Sequence, residues 1–302
     1  MKLYIADVFT EELFGGNPAG VVLIPSNEDF PSEDTMLKVA AELRYSETAF
    51  VKDLGNNEFQ LRYFTPAMEV DLCGHATIAS FYCLNTGGFI HANPTSKKES
   101  DAATIECVAH TKAGKLNISV SPDQIMMEMG SPKLIYTITD YIEVDRLYEI
   151  SGTEFDQSLG LQPMIISTGL PDIMLPVGSR NELNSLNPNF DLMTKLSEQY
   201  GVTGVHAFAI ENGEIFARNF APICLIDEEA ATGTANGALT YYLFLNKKID
   251  SKSKCKILQG EAMGRPSVIL TSIDAESSNE NAACTIKVGG RAAILAEGEL
   301  FI

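Results

Sequence analysis

Hydrophobic positions along this chain change period repeatedly, from every second residue to every third or fourth and back. Lys2–Phe9, Gly20–Ile24, Thr48–Lys52 and Glu58–Phe64 are short runs rich in β-branched and aromatic residues and predict strands. Ser32–Leu43 sets Met36, Val39, Ala40 and Leu43 on one face and predicts a helix capped by Ser32. A second helix, opening around His75, carries Ile78, Ala79, Tyr82 and Cys83 and stops at Gly87-Gly88. Thr104–His110, Lys115–Val120, Val205–Ile210 and Glu214–Phe220 predict further strands, and Leu192–Tyr200 a helix. The polar stretch Phe89–Asp101, with Pro94, predicts a surface loop. Ser272–Asn281, rich in serine and acidic residues, predicts an exposed hairpin loop before the final strands.

One pattern repeats. Arg62-Tyr63-Phe64-Thr65-Pro66 recurs as Arg218-Asn219-Phe220-Ala221-Pro222. Each copy is followed by an acidic stretch and then by a glycine that opens a helix, Gly74-His75-Ala76-Thr77 and Gly233-Thr234-Ala235-Asn236. Two copies are too few for a solenoid and suit a duplicated domain. The expected fold is α+β, with two pseudosymmetric lobes, each a curved mixed sheet around a central helix. The expected boundaries are 1–122 and 123–302, Ser121–Ser131 carrying the crossing and the final strand free to pair back with the first lobe.

Composition narrows the function. Of 302 residues, 45% are hydrophobic and 21% charged, enough apolar material for a sizeable core and too much for disorder. The N-terminus lacks the basic–apolar–small order of a signal peptide, and no apolar run reaches the ~20 residues of a membrane helix. A cytoplasmic protein without a membrane role is expected. The net charge of −18 argues against nucleic acid, whose phosphates are held by Lys and Arg. The six cysteines and four histidines show no metal-ligand spacing, so buried free thiols and no metal are expected.

An anion site in so acidic a chain must be built locally. A helix N-terminus offers unpaired amides and about half a positive charge, and glycine lets a ligand approach the backbone. Gly74 and Gly233 fit that use, but on local pattern alone tight turns are the favoured reading of both.

Seven segments carry a resemblance: DVFTEELFGGNPAGVVL, YSETAFV, RYFTPAMEVDLCGHATIAS, GLPDIMLPV, ARNFAPICLIDEEAATGTANGAL, ILQGEAMGRPSVI and VGGRAAILAEGEL. In this order, over nearly the whole chain, the sequence resembles the PhzF-like (phenazine-biosynthesis-like) isomerase family. That resemblance implies a diaminopimelate-epimerase-like fold, an active site between two lobes, a homodimer and a small carboxylate-bearing substrate. Glu47 matches the family's catalytic glutamate, which shuttles a proton between carbons of a dihydro-hydroxyanthranilate ring without a cofactor. Loss of hydration between Ser46 and the apolar Ala49-Phe50-Val51 would raise the pKa of such a carboxylate, whereas a glutamate opening a strand is otherwise solvated. His75 matches the family histidine and would donate or relay a proton, or cap the helix. Gly74, Gly233 and Thr234 are implied to grip the substrate. Asn17 belongs to a loop near the cleft or to a turn before a strand.

The chain departs from the family at Glu229, where an aspartate followed by proline is common; here Ala230 follows. The extra methylene moves the carboxylate by about 1.5 Å, so a substrate different from that of the phenazine enzyme is expected. Two rivals stand beside the isomerase. A two-thiol racemase would use Cys73, but the echoed position before Gly233 is Thr232, and Cys224 lies several residues away. A non-catalytic metabolite- or protein-binding module on the same fold is the other.

Overall fold

The computed structural model describes residues 1–91, 104–276 and 283–302. Contacts divide the chain into two units, Met1–Glu128 with Gly289–Ile302 and Met129–Val288.

The first unit contains β1 (Lys2–Val8), β2 (Asn17–Ile24), α1 (Glu33–Leu43), β3 (Thr48–Gly55), β4 (Glu58–Phe64), β5 (Glu69–Val70), α2 (Gly74–Thr86), β6 (Ile105–Thr111), β7 (Gly114–Val120) and β8 (Ile125–Glu128). The second contains β9 (Lys133–Thr137), α3 (Tyr141–Ser151), β10 (Met164–Ser167), β11 (Pro171–Pro176), α4 (Arg180–Ser185), α5 (Phe190–Tyr200), β12 (Gly204–Glu211), β13 (Glu214–Ala221), β14 (Ile226–Glu229), α6 (Gly233–Leu245), β15 (Lys254–Gln259) and β16 (Ser267–Ala275). The chain re-enters the first unit within β17 (Cys284–Gly290) and ends with β18 (Ala292–Glu299).

Both units follow one pairing scheme. In the first, β1 pairs antiparallel with β18 and β2; then β2–β3 is parallel, β3–β4 antiparallel, β4–β6 parallel, and β6–β7 and β7–β8 antiparallel, with β5 added to β4. In the second, β10 pairs antiparallel with β9 and β11; then β11–β12 is parallel, β12–β13 antiparallel, β13–β15 parallel and β15–β16 antiparallel, with β14 added to β13. The registers match as well. Thr48 faces Phe64 as Val205 faces Phe220, and Phe50 faces Arg62 as Ala207 faces Arg218. Gly204, just before Val205, therefore takes the place that Glu47 holds before Thr48. A Cβ there would come within 2.0 Å of the Phe220 carbonyl oxygen, so only glycine fits.

α2 packs against β1, β2, β3, β7, β8 and β18, and α6 against β10, β11 and β16. Both are buried almost all round, including polar residues such as Thr77, Ser80, Asn236 and Thr240, as expected of helices enclosed by sheet. The outward sheet faces carry amphipathic helices. Met36, Val39 and Ala40 of α1 join Val22, Ile24, Phe50 and Phe64. Val144, Leu147 and Tyr148 of α3 and Met193 and Leu196 of α5 join Ile173, Leu175, Val205 and Ala207.

The echoed arginines fasten each short strand ahead of the central helix. Arg62 donates from Nε and Nη2 to Glu69, 2.7 Å each, and Arg218 donates likewise to Glu228, 2.8 Å each. Two-point pairing of this kind fixes direction as well as distance. The three extra residues of the second copy fall where the Pro222–Cys224 helical turn sits.

Several expected elements differ. β2 starts at Asn17, three residues before the predicted strand, so Asn17 is in a strand and not in a loop. β3 runs on to Gly55 because Gly55, Asn56 and Asn57, all with positive φ, close a hairpin. Of the loop predicted at Ser272–Asn281, Ser272–Ala275 belong to β16, where Thr271, Ile273 and Ala275 are buried and Asp274 is exposed. Glu276 lies just past the strand, and positions 277–281, with 92–101 of the other predicted loop, lie outside the described residues. None of the six cysteines forms a disulfide, but Cys224 is exposed and Cys284 half-buried, contrary to the expectation of burial.

Candidate functional site

The two central helices differ from the surface helices at their first turn. Ser32, Asp140, Ser179 and Asn189 each cap a surface helix by accepting a backbone N–H. The caps of α2 and α6 are Cys73 and Thr232, both in extended conformation and neither making a side-chain cap hydrogen bond. Gly74 and Gly233 follow them, with no positive φ. A Cβ at Gly74 would meet the Met127 side chain at 3.4 Å, and one at Gly233 would meet Val288 at 3.8 Å, both ordinary contacts. Neither tight turns nor packing accounts for these glycines. Space beside an uncapped helix end does suit an anionic group.

In the first unit the predicted residues gather around His75, which is 4% exposed on α2. Its Nε2 lies 3.3 Å from Glu47 Oε2 and 3.4 Å from Ser46 Oγ. Its Nδ1 lies 3.5 Å from Asn17 Nδ2 and 3.4 Å from Cys73 Sγ. Asn17 arrives from the first position of β2. Glu47 comes from the turn into β3, its backbone held by the Gly20 amide at 3.3 Å. The Glu47 side chain is 16% exposed, yet Oε2 is buried and makes no aligned hydrogen bond. A buried acceptor of this kind is costly unless a partner arrives. The His75 ring faces this group of side chains, and the residue at the cap position is Cys73.

The second unit brings Glu229, Gly233 and Thr234 together at the start of α6. Thr232 turns its hydroxyl away from its own helix and donates to Glu229 Oε2 at 2.5 Å. A chain of buried amides supports this end. Asn219 Nδ2 donates to His206 Nδ1 (3.2 Å), and His206 Nε2 donates to Asn236 Oδ1 (3.3 Å). Asn236 Nδ2 donates to Gln259 Oε1 (2.7 Å), and Gln259 Nε2 donates to the Glu229 carbonyl (2.8 Å). Burial pushes His206 down to about 4, against the opposing pull of Asn236, so the ring is neutral, as this donor order requires.

Asp172 on β11 joins this group. It is 2% exposed, and its Oδ1 has no hydrogen-bond partner. Burial first, and the Glu229 charge second, push its carboxyl up to about 8, against a hydrogen bond from the Gly204 amide. Sequence analysis did not find Asp172, Asn219, His206, Asn236 or Gln259. On a strand buried on both faces, polar residues lose the alternation that would mark them. The available signal was polar residues inside apolar runs, as in PDIMLP and GVHAFAI.

What the arrangement offers is a carboxylate and an imidazole at the end of one central helix, and a hydroxyl–carboxylate pair at the end of the other. No helix among the described residues is long and apolar enough to cross a membrane. The family model described as phenazine biosynthesis-like protein matches residues 6–298. A Clostridium acetobutylicum protein named as an uncharacterised isomerase is 32% identical over 314 residues, which cover 100% of this chain and 98% of the relative. The structure of the Bacillus anthracis phenazine biosynthesis protein of the PhzF family superposes with a TM-score of 0.82 at 24% identity, over 100% of this chain and 99% of that one. A hydroxyproline epimerase from Agrobacterium vitis, with trans-4-hydroxy-L-proline bound, superposes with a TM-score of 0.61 at 12% identity, over 99% and 91% of the two chains. The fold is thus the diaminopimelate-epimerase-like α+β fold, and this chain belongs to the PhzC–PhzF, phenazine biosynthesis-like, family.

Proposed function

We propose that this protein is an isomerase that moves a proton on a small carboxylate-bearing substrate without a cofactor, with Glu47 as the general acid/base. The observation that carries the reading is the buried, unaligned Glu47 Oε2 lying 3.3 Å from His75 Nε2. A proton acceptor held dehydrated, with no bond of its own to give up, is suited to removing a proton from carbon. Glu47 takes the proton from one carbon and returns it to another, so the substrate's composition is unchanged. His75 would donate to the substrate or relay the proton. Asn17 and Gly74 in the first unit, and Glu229, Gly233 and Thr234 in the second, are the proposed substrate-binding residues. Backbone amides at the uncapped helix ends would carry the negative charge that develops. The relatives' names support isomerisation, and the family resemblance supports a homodimer.

The racemase rival lacks a second thiol at the matching cap, since Thr232 holds that place and is bonded to Glu229. The test is solvent exchange: candidate cyclic and amino-acid carboxylates are incubated in deuterated water and followed by mass spectrometry. Glu47→Gln is expected to slow label uptake by about 10²–10⁴-fold. Exchange unchanged in that variant removes Glu47 as the base. Ligand binding without exchange across a broad panel favours a binding module.

A further inference from the structure

Asp172 stands on the inward face of the second unit's sheet, the face that α6 covers. The register places it there: Asp172 pairs with Gly204 and Met174 with His206, while Ile173 and Val205 turn outward into the core under α3 and α5. β12 runs in the same direction as α6, since His206 bonds Asn236 and, at the next inward position, Phe208 packs edge-on against Tyr242. Gly204, with Asp172 beside it, therefore lies level with Thr232 and Gly233, where the helix starts. Thr168, just before β11, fastens this end by donating from Oγ1 to the Thr234 carbonyl at 2.9 Å.

We infer that Asp172 gates this end of α6: as a neutral acid it lets an anionic group of the ligand settle on the first-turn amides, and as a carboxylate it drives that anion out. The gate rests on the proposed reading of Gly233 and Thr234 as ligand-binding residues.

Asp172 is 2% exposed, and its Oδ1 is an orphan, so the hydrogen bond from the Gly204 amide falls to Oδ2. One donor and no cation cannot hold a charge so deeply buried. Burial, and then the Glu229 charge, push the carboxyl up to about 8. Among the described residues, the elements packed around Asp172 bring no other group that titrates in this range. β10 pairs Ile166 with it, and β12 brings His206, which its own burial keeps neutral. β13 brings Asn219, the first turn of α6 brings Thr234 and Asn236, and β17 brings the apolar Val288 against Gly233. On β14, Asp227 is exposed and Glu228 turns outward to Arg218, which leaves Glu229 as the charge that faces Asp172. Glu229 Oε2 in turn accepts from the Thr232 hydroxyl at 2.5 Å.

The start of a helix carries about half a positive charge. With Asp172 neutral, that charge meets the single carboxylate of Glu229; with Asp172 ionised, it meets two. Affinity for an anion is therefore full below the Asp172 midpoint and falls as pH rises through it. With only the neutral form competent, the apparent Kd rises about 10-fold between pH 7 and pH 9.

The native full-length protein and Asp172→Asn are compared by infrared difference spectroscopy and by titration with 4-fluorobenzoate, a small carboxylate probe read by fluorine NMR. The native protein should show a protonated-carboxyl band at pH 7 that is lost toward pH 9 and is missing from Asp172→Asn. Its Kd for the probe should rise about 10-fold over that range, while that of Asp172→Asn stays level. Gly233→Ala should weaken the probe at pH 7. A band absent at pH 7, a band that persists in Asp172→Asn, or a Kd that rises equally in the variant overturns the gate. Weakening by Gly74→Ala and not by Gly233→Ala puts the probe on α2 and overturns it as well. No binding of the probe at either pH overturns the anion site itself. A gated probe without proton exchange on any substrate keeps the gate and sinks the isomerase reading, whereas exchange with a KM that is level from pH 7 to pH 9 does the reverse.

Discussion

Gly74 and Gly233 are the residues whose identity the fold itself does not explain. Added methyl groups would meet side chains at 3.4 and 3.8 Å, and neither position needs a left-handed backbone. Alanine at the start of a helix is tolerated or slightly favourable on propensity grounds. Gly74→Ala and Gly233→Ala are therefore expected to keep stability within about 1 kcal/mol of the native protein while losing at least 10-fold in substrate exchange, read by denaturation and the deuterium assay side by side. Asp172 poses the opposite case, a residue the fold would be more stable without. Its folded carboxyl is raised from the ordinary 3.8 to about 8, so the unfolded chain releases this proton at lower pH than the folded one. Between pH 4 and pH 8 the folded state holds more protons, and stability falls as pH rises through that window. Asp172→Asn removes this dependence. Urea denaturation across the window should show the variant's advantage growing toward pH 8, exceeding about 1 kcal/mol at pH 7.

At the scale of elements, the two Arg–Glu forks determine where the central helices begin. β5 has only two residues, so its position beside β4 depends heavily on the Arg62–Glu69 pair. The Arg62 fork, with Lys112 at 2.5 Å adding to it, holds the Glu69 carboxyl below its ordinary 4.5. A lowered folded pKa gives stability that is complete above 4.5 and lost as pH falls through the folded value. Glu69→Gln is expected to cost about 1–3 kcal/mol at pH 7 and to flatten the acid limb of the native stability profile below pH 4.5. The caps show how the same residue types serve two ends. Ser32, Asp140, Ser179 and Asn189 finish helices on the surface, whereas Thr232 spends its hydroxyl on Glu229. A side chain that caps its own helix closes the amides that a ligand would use.

Over the whole molecule, the duplication was legible because its marks are local in sequence. Arg62 and Arg218, each followed by an acidic residue and then by a glycine-opened helix, survive as two copies of one pairing scheme. Ser32 and Gly87 marked their helix ends for the same reason. Less was readable where polar residues sit inside strands. Asp172, His206 and Asn219 lie on β11, β12 and β13, which are covered on both faces, so nothing in their spacing marks them as members of one network. α3 did leave a signal, Asp140 as cap ahead of Val144, Leu147 and Tyr148 on one face. The gathering of Asn17, Glu47 and Cys73 around His75 required the strand order, which brings β2, β3 and α2 side by side.

Gly204 makes the two halves unequal in the side chains they can hold. At the place that Glu47 holds in the first unit, the second leaves the Phe220 carbonyl oxygen 2.0 Å from where a side chain would branch. Any residue larger than glycine would have to push the neighbouring strand aside. An acid ahead of the corresponding strand can thus stand in the first unit alone, and the likeness of the two pairing schemes does not extend to what each can carry at that point.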